Sequence, residues 1–252
     1  MAAAARSQPV PIPAGQGDAQ VLLDRPGQGA PRFLLALTHG AGGGVETPDL
    51  LAVRDAALEL GGAVARVVQP YQVRGARSPG SPARQDAAWI TVLEAVREIL
   101  EDTPAAGEIS LDGAGRVPLV QGGRSNGARV TCRTAAQAGA AAVIALAFPL
   151  HPPGRPERSR RDELRMAVAA GADVLVVNGS RDPFGVPSQQ DAGVPAPAGR
   201  PAPGNGTGGS TGGSARIVVL DGEGHQLSKD PAAVHAVVSA WLRSWAERIG
   251  GR

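Results

Sequence analysis

Short runs rich in Val, Ile and Leu alternate along the chain with longer alanine-rich stretches of helical period, and this alternation constrains the fold more than any other feature. The apolar runs have the character of strands buried on both faces, and the stretches between them suit helices that cross over to the next parallel strand. The expected architecture is α/β, a three-layer α/β/α sandwich around a mostly parallel sheet. Strands are expected over residues 20–23, 33–37, 63–68, 117–121, 143–147, 174–178 and 216–220, and helices over 48–60, 83–100, 126–138, 159–170 and 231–248. In the last helix Val234, Val237, Val238, Trp241, Leu242 and Trp245 recur at helical spacing, which turns both tryptophans toward the core.

Two stretches break the pattern. Residues 1–17 hold several prolines and no apolar run of signal-peptide length, so a disordered N-terminal leader is expected there. Residues 188–214 contain eight glycines, four prolines and two charges, too little apolar surface to order a segment. Because strand-like sequence resumes at Arg216, this is a flexible low-complexity insertion inside one domain spanning residues 18–250. Such an insertion is tolerated because closure entropy grows slowly with loop length.

Composition removes several function classes. With 42% hydrophobic residues and 25 basic against 23 acidic, the chain is not disordered as a whole, and its net charge of +2 supplies no basic stripe for a nucleic acid. Aromatics at 3% leave little on which to stack bases. The longest apolar run, residues 138–148, stops at Pro149, short of the roughly 20 residues that span a bilayer, so no membrane partner is expected. The single cysteine, Cys132, lies in a helical pattern and has no partner for an internal disulfide, which fits a reducing, cytoplasmic location. No Cys or His cluster has metal-ligand spacing, and no cofactor is expected.

The chemistry concentrates at Gly123-Arg124-Ser125-Asn126-Gly127, a G-x-S-x-G motif between an expected strand and an expected helix. A turn that tight strains the serine backbone and leaves no room for side chains two residues to either side. The serine hydroxyl then projects from the sheet edge, beside amides at a helix N-terminus that favour negative charge. A serine hydroxyl needs a base to take its proton, and the base needs a carboxylate to orient it. Of the four histidines, His225 follows the last strand in a glycine-rich loop, whereas His235 lies within the final helix. Asp182 follows the 174–178 strand on the same edge. Asp221, four residues before His225, is the rival acid, less able to reach the far ring nitrogen. The order Ser125, Asp182, His225 differs from that of chymotrypsin or subtilisin.

The other half of an oxyanion hole is expected from the loop after strand 33–37, His39-Gly40-Ala41-Gly42-Gly43-Gly44. The backbone N–H groups of Ala41, Gly42 and Asn126 are the candidate donors. This glycine run lacks the G-K-[ST] ending of a phosphate loop, and the first lysine in the chain is Lys229. Candidate substrate-binding side chains are His39, Arg74, Arg124 and His151. Arg74, with Arg77 nearby, lies in an edge loop suited to an anionic group.

With these residues in place the chain resembles the α/β-hydrolases, and more narrowly the dienelactone-hydrolase-like group related to the testis-expressed and non-specific-lethal-complex hydrolase-like proteins. The resemblance rests on residues 39–43, 123–127, 148–154, 181–185 and 224–225. It implies a Ser-Asp-His triad on a sheet of the eight-stranded type and an ester or other acyl bond of a small molecule as substrate. Ala128 departs from the further glycine that many hydrolases carry there. The expected function is that of a serine hydrolase. The alternatives are a catalytically silent binding or scaffolding protein on the same fold, and acyl transfer to an acceptor other than water. Oligomeric state is left open.

Overall fold

The computed structural model describes residues 6–11, 17–27, 29–101, 117–194 and 213–250. Eight strands form one sheet: β1 (Arg6–Val10), β2 (Ala19–Asp24), β3 (Leu34–Thr38), β4 (Ala63–Val68), β5 (Leu119–Arg124), β6 (Ala142–Leu146), β7 (Asp173–Gly179) and β8 (Ala215–Leu220). Their order is β1-β2-β4-β3-β5-β6-β7-β8. The first two run antiparallel to their neighbours, and β4 to β8 are parallel throughout. Six helices complete the described structure: α1 (Pro48–Glu59), α2 (Pro70–Val73), α3 (Pro82–Glu101), α4 (Asn126–Ala138), α5 (Arg161–Ala169) and α6 (Pro231–Gly250).

Strand alternation divides the core between two faces. Leu35, Leu37, Val120, Ile144 and Leu175 pack with α1 and α6, where Leu50, Val53, Trp241 and Trp245 are buried. Leu34, Ala36, Leu119, Val143 and Val174 pack with α3, α4 and α5 through Trp89, Val130 and Leu164. Side chains of period two on a sheet covered on both sides yield the expected three layers. Trp241 and Trp245 are core residues, and the Trp245 ring meets Phe33 edge-on at 5.7 Å. Arg66, buried in β4, forms an ion pair with Asp24 of β2 at 2.8 Å and so ties the antiparallel margin to the parallel sheet.

All seven expected strands and five expected helices are present, and three differences have local causes. Residues 6–10, expected within a disordered leader, form β1, which adds to the sheet margin. Val10 and its partner Ala19 are buried there, and Pro9, which has no N–H, is tolerated because the strand is an edge. β5 extends beyond its apolar run through Gly122 and Gly123, because backbone pairing to β3 and β6 on both sides holds it. Residues 188–194, expected in a flexible insertion, form turns closed by the Asp191 carboxylate, which accepts from the Ser188 N–H and hydroxyl. There Ala192 enters the core, and Arg165 of α5 donates to the carbonyls of Gln190 and Asp191. Residues 195–212 and most of the expected leader lie outside the described residues.

Candidate active site

In an open α/β sheet the loops at the carboxyl ends of the strands, where strand order reverses, form the natural crevice for a ligand. Here β3 lies between β4 and β5, and the loops leaving β3 and β5 meet at that point. β5 passes into α4 through Ser125, whose φ of 54° and ψ of −112° place a non-glycine residue in a strained conformation. The turn is closed by the Ser125 N–H donating to Leu146 O at 2.9 Å. Its flanking glycines are dictated by contact. A Cβ on Gly123 would overlap the backbone of Gly127, and one on Gly127 would stand 2.7 Å from the His39 carbonyl oxygen.

The loops after β7 and β8 bring the other two residues to Ser125. His225 Nε2 lies 2.8 Å from Ser125 Oγ, and Nδ1 lies 2.8 Å from Asp182 Oδ2. Asp182 is buried and doubly held: Oδ1 accepts from the Phe184 N–H at 2.9 Å, and Oδ2 accepts from Asn178 Nδ2 at 3.3 Å. Asn178 also links β7 to the loop after β6 by exchanging bonds with the backbone of Phe148. The His225 loop is braced by Glu223, whose carboxylate accepts from the Asp230 N–H at 2.7 Å. Asp221 accepts instead from the Ser180 hydroxyl at 3.0 Å, while His235 lies against Glu59 at 3.2 Å. Asn178 has no role in the sequence reading, and Phe184 enters it only within the 181–185 motif. A lone amide at the end of an otherwise apolar strand was the available signal.

The loop after β3 lies against the nucleophile, since a Cβ at Gly40 would stand 3.2 Å from Ser125 Cβ. Ala41 and Gly42 are exposed in this loop, and Asn126 opens α4 directly after Ser125, with its side chain donating to Gln85 Oε1 at 2.7 Å. Tyr71 supports the loop from α2: its hydroxyl lies 3.2 Å from Gly40 O and 3.3 Å from Ala41 O. Burial pushes the phenol up to about 12, so it stays a donor.

Three of the four candidate substrate-binding side chains have other partners. His39 is fully buried, donates from Nδ1 to Gly40 O at 2.7 Å and accepts the Gln69 N–H on Nε2 at 2.9 Å. Burial lowers its basicity, and a neutral ring with both nitrogens engaged braces the loop rather than meeting substrate. Arg124 is buried, with Nε 3.0 Å from Asp49 Oδ2 and Nη2 donating to His225 O at 3.2 Å. His151 clamps the Asp182 loop: its main-chain N–H donates to Phe184 O at 2.9 Å, its ring Nδ1 lies 2.9 Å from Pro152 O, and a Cβ on Gly185 would stand 2.5 Å from Nε2. Each of the three thus has a partner within the protein.

Arg74 is placed differently. Among the described residues a cavity of about 190 Å³ lies beside the loop after β3. Val67, Ala88, Trp89 and Val92 supply apolar wall, Tyr71 and Gln85 face the loop and Asn126, and Arg74 and Arg84 are its cations. Among the described residues no acidic side chain lines it. Cys132 is buried, and burial pushes its thiol far up, so it is not a reactive group. Among the described residues no cluster of His, Cys, Asp or Glu is arranged to hold a metal, and no helix is long and apolar enough to cross a membrane.

A doubly covered parallel sheet whose strand ends carry a serine at a strained strand-to-helix turn, a histidine and a buried aspartate defines the alpha/beta hydrolase class. The chain belongs to that family: the family model for the alpha/beta hydrolase domain matches residues 31–196. Among solved structures, it is similar to an alpha-beta serine hydrolase homologue from Coxiella burnetii, with a TM-score of 0.68 at 15% identity, covering 95% of this chain and 98% of the other. A member of the a/b serine hydrolases without lid, XC6422 from Xanthomonas campestris, gives 0.63 at 17% identity and covers 96% and 95%. The dienelactone hydrolase from Anabaena variabilis gives 0.62 at 15% identity and covers 96% and 99%. These likenesses concern the fold. A search of curated proteins finds no match.

Proposed function

We propose that the protein is a serine hydrolase that cleaves an ester or related acyl bond of a small substrate through an acyl-enzyme on Ser125. The observation that carries this reading is the His225 imidazole, held within 2.8 Å of both Ser125 Oγ and Asp182 Oδ2. As Oγ attacks the acyl carbon, Nε2 takes its proton, and Asp182 stabilises the imidazolium through Nδ1–H. The carbonyl oxygen becomes an oxyanion facing the N–H groups of Asn126, Ala41 and Gly42. Collapse expels the alcohol, which receives the proton from Nε2. Water then attacks the acyl-enzyme with His225 again as base, and the acid and free Ser125 are released.

The cavity walled by Tyr71 and Gln85, which bond the oxyanion loop and Asn126, is the candidate place for the substrate's unreactive end. Arg74 in its lining, with no acid among the described lining residues, supports an anionic group at the unreactive end. The single, buried Cys132 supports a cytoplasmic location. Labelling with a fluorophosphonate tests the proposal, with intact mass counting the adducts. One adduct on the wild type and none on Ser125→Ala is the expected result. No adduct on folded wild-type protein overturns it in favour of a binding module on the same fold.

A further inference from the structure

Asp49 in the first turn of α1 is completely buried, and Arg124, the residue before Ser125, is its ion-pair partner. Removing two charges from water costs more than their attraction commonly returns, so a buried pair is weak grounds for stability and points to a requirement of position. The position here is specific. From one guanidinium, Nε faces Asp49 Oδ2 at 3.0 Å and Nη2 donates to the main-chain oxygen of His225 at 3.2 Å. Nη1 lies against the loop after β3, 3.5 Å from where a Cβ of Gly40 would stand and 3.6 Å from that of Gly43. Three segments far apart in sequence, the 40–43 loop with α1, the Ser125 turn and the His225 loop, thus meet on one side chain.

From this geometry we infer that Arg124, held by Asp49, is a positioning residue that keeps the His225 loop and the oxyanion loop in register with Ser125. The inference rests on the proposed serine chemistry for its effect on rate, but its structural content does not. The guanidinium suits the task because its donors diverge in one rigid plane, so one nitrogen can face a carboxylate while another holds a carbonyl. An ammonium in its place is a single point charge and does not span both. Arg124 acts through the placement of His225 and has no contact with the reacting atoms. Asp49 supplies the opposing charge beside Nε.

Two variants test this. Arg124→Met/Asp49→Leu removes both charges and leaves no buried ion alone. Arg124→Lys keeps the charge and remains informative if the double variant does not fold. In each, ¹⁵N-histidine spectra report the His225 ring, the rate of fluorophosphonate labelling reports Ser125, and kcat and KM are measured on a small ester. The expected result is a folded protein in which the His225 ring signals shift or broaden, labelling and kcat fall about tenfold, and KM stays within twofold. A folded variant with unchanged His225 signals overturns the inference, whatever its melting temperature. Displaced His225 signals in a protein whose wild type takes no label sink the proposed hydrolysis and leave the positioning role standing.

Discussion

The Phe184 ring lies over the imidazole of His225, with centroids 4.2 Å apart and planes tilted by 31°, while the N–H of the same residue donates to Asp182 Oδ1 at 2.9 Å. One residue therefore covers the base and orients the acid. The ring contact contributes about 1 kcal/mol, and its loss loosens the imidazole. Phe184→Ala is expected to lower kcat about fivefold while Phe184→Tyr stays near wild type, read from initial rates on a small ester.

The choice between the two candidate acids has a direct kinetic test. Asp182 touches Nδ1 of His225, whereas Asp221 accepts from an exposed serine. Asp182→Asn is expected to reduce kcat by about 10⁴, by favouring the wrong imidazole tautomer. Asp221→Asn should remain within about twofold of wild type, as expected for an exposed pair of small energetic weight. Equal losses in the two variants would reverse the assignment.

His39 links stability to pH. Burial holds its imidazole below the ordinary value of 6.5. As pH falls through 6.5, the unfolded chain takes up a proton that the folded chain resists, so stability is lost toward acid and is full above that value. Melting temperature is expected to drop between pH 7 and pH 5. His39→Gln should flatten that slope, at some loss of stability at neutral pH, in parallel thermal scans.

The turn around Ser125 tolerates no added carbon. In Gly127→Ala the new methyl would meet the carbonyl oxygens of His39 at 2.7 Å and Thr38 at 2.9 Å, both main-chain atoms of the strand end that carries the oxyanion loop. Overpacking of this kind costs on the order of 1–3 kcal/mol. A lowered urea midpoint together with lost labelling of Ser125 is expected, and an unperturbed variant would mean the β3 end yields readily.

Arg74 separates substrates by charge. If its guanidinium meets an anionic group in the cavity, a charge-assisted hydrogen bond of about 1.5–3 kcal/mol is at stake. Arg74→Ala should then raise KM for a carboxylate-bearing ester about tenfold or more and leave a neutral ester of the same size unaffected. An unchanged ratio between the two esters removes the anionic site.

The sequence by itself determined the α/β order of elements, the burial of Trp241 and Trp245 and the turn at Ser125, because each depends on local signals. Side-chain period, glycine spacing and the change from strand to helix are written within a dozen residues of one another. It also brought Ser125, Asp182 and His225 to one edge, since loops that follow parallel strands emerge on the same side. Only the tertiary structure decided what polar side chains do there. His39 and Arg124, read as substrate contacts, are occupied by Gln69 and Gly40 in one case and by Asp49 and His225 in the other. β1 forms because β2 offers an open edge, not because residues 6–10 resemble a strand. A buried polar group takes the nearest complementary partner, and that partner can lie a hundred residues away where no local pattern records it.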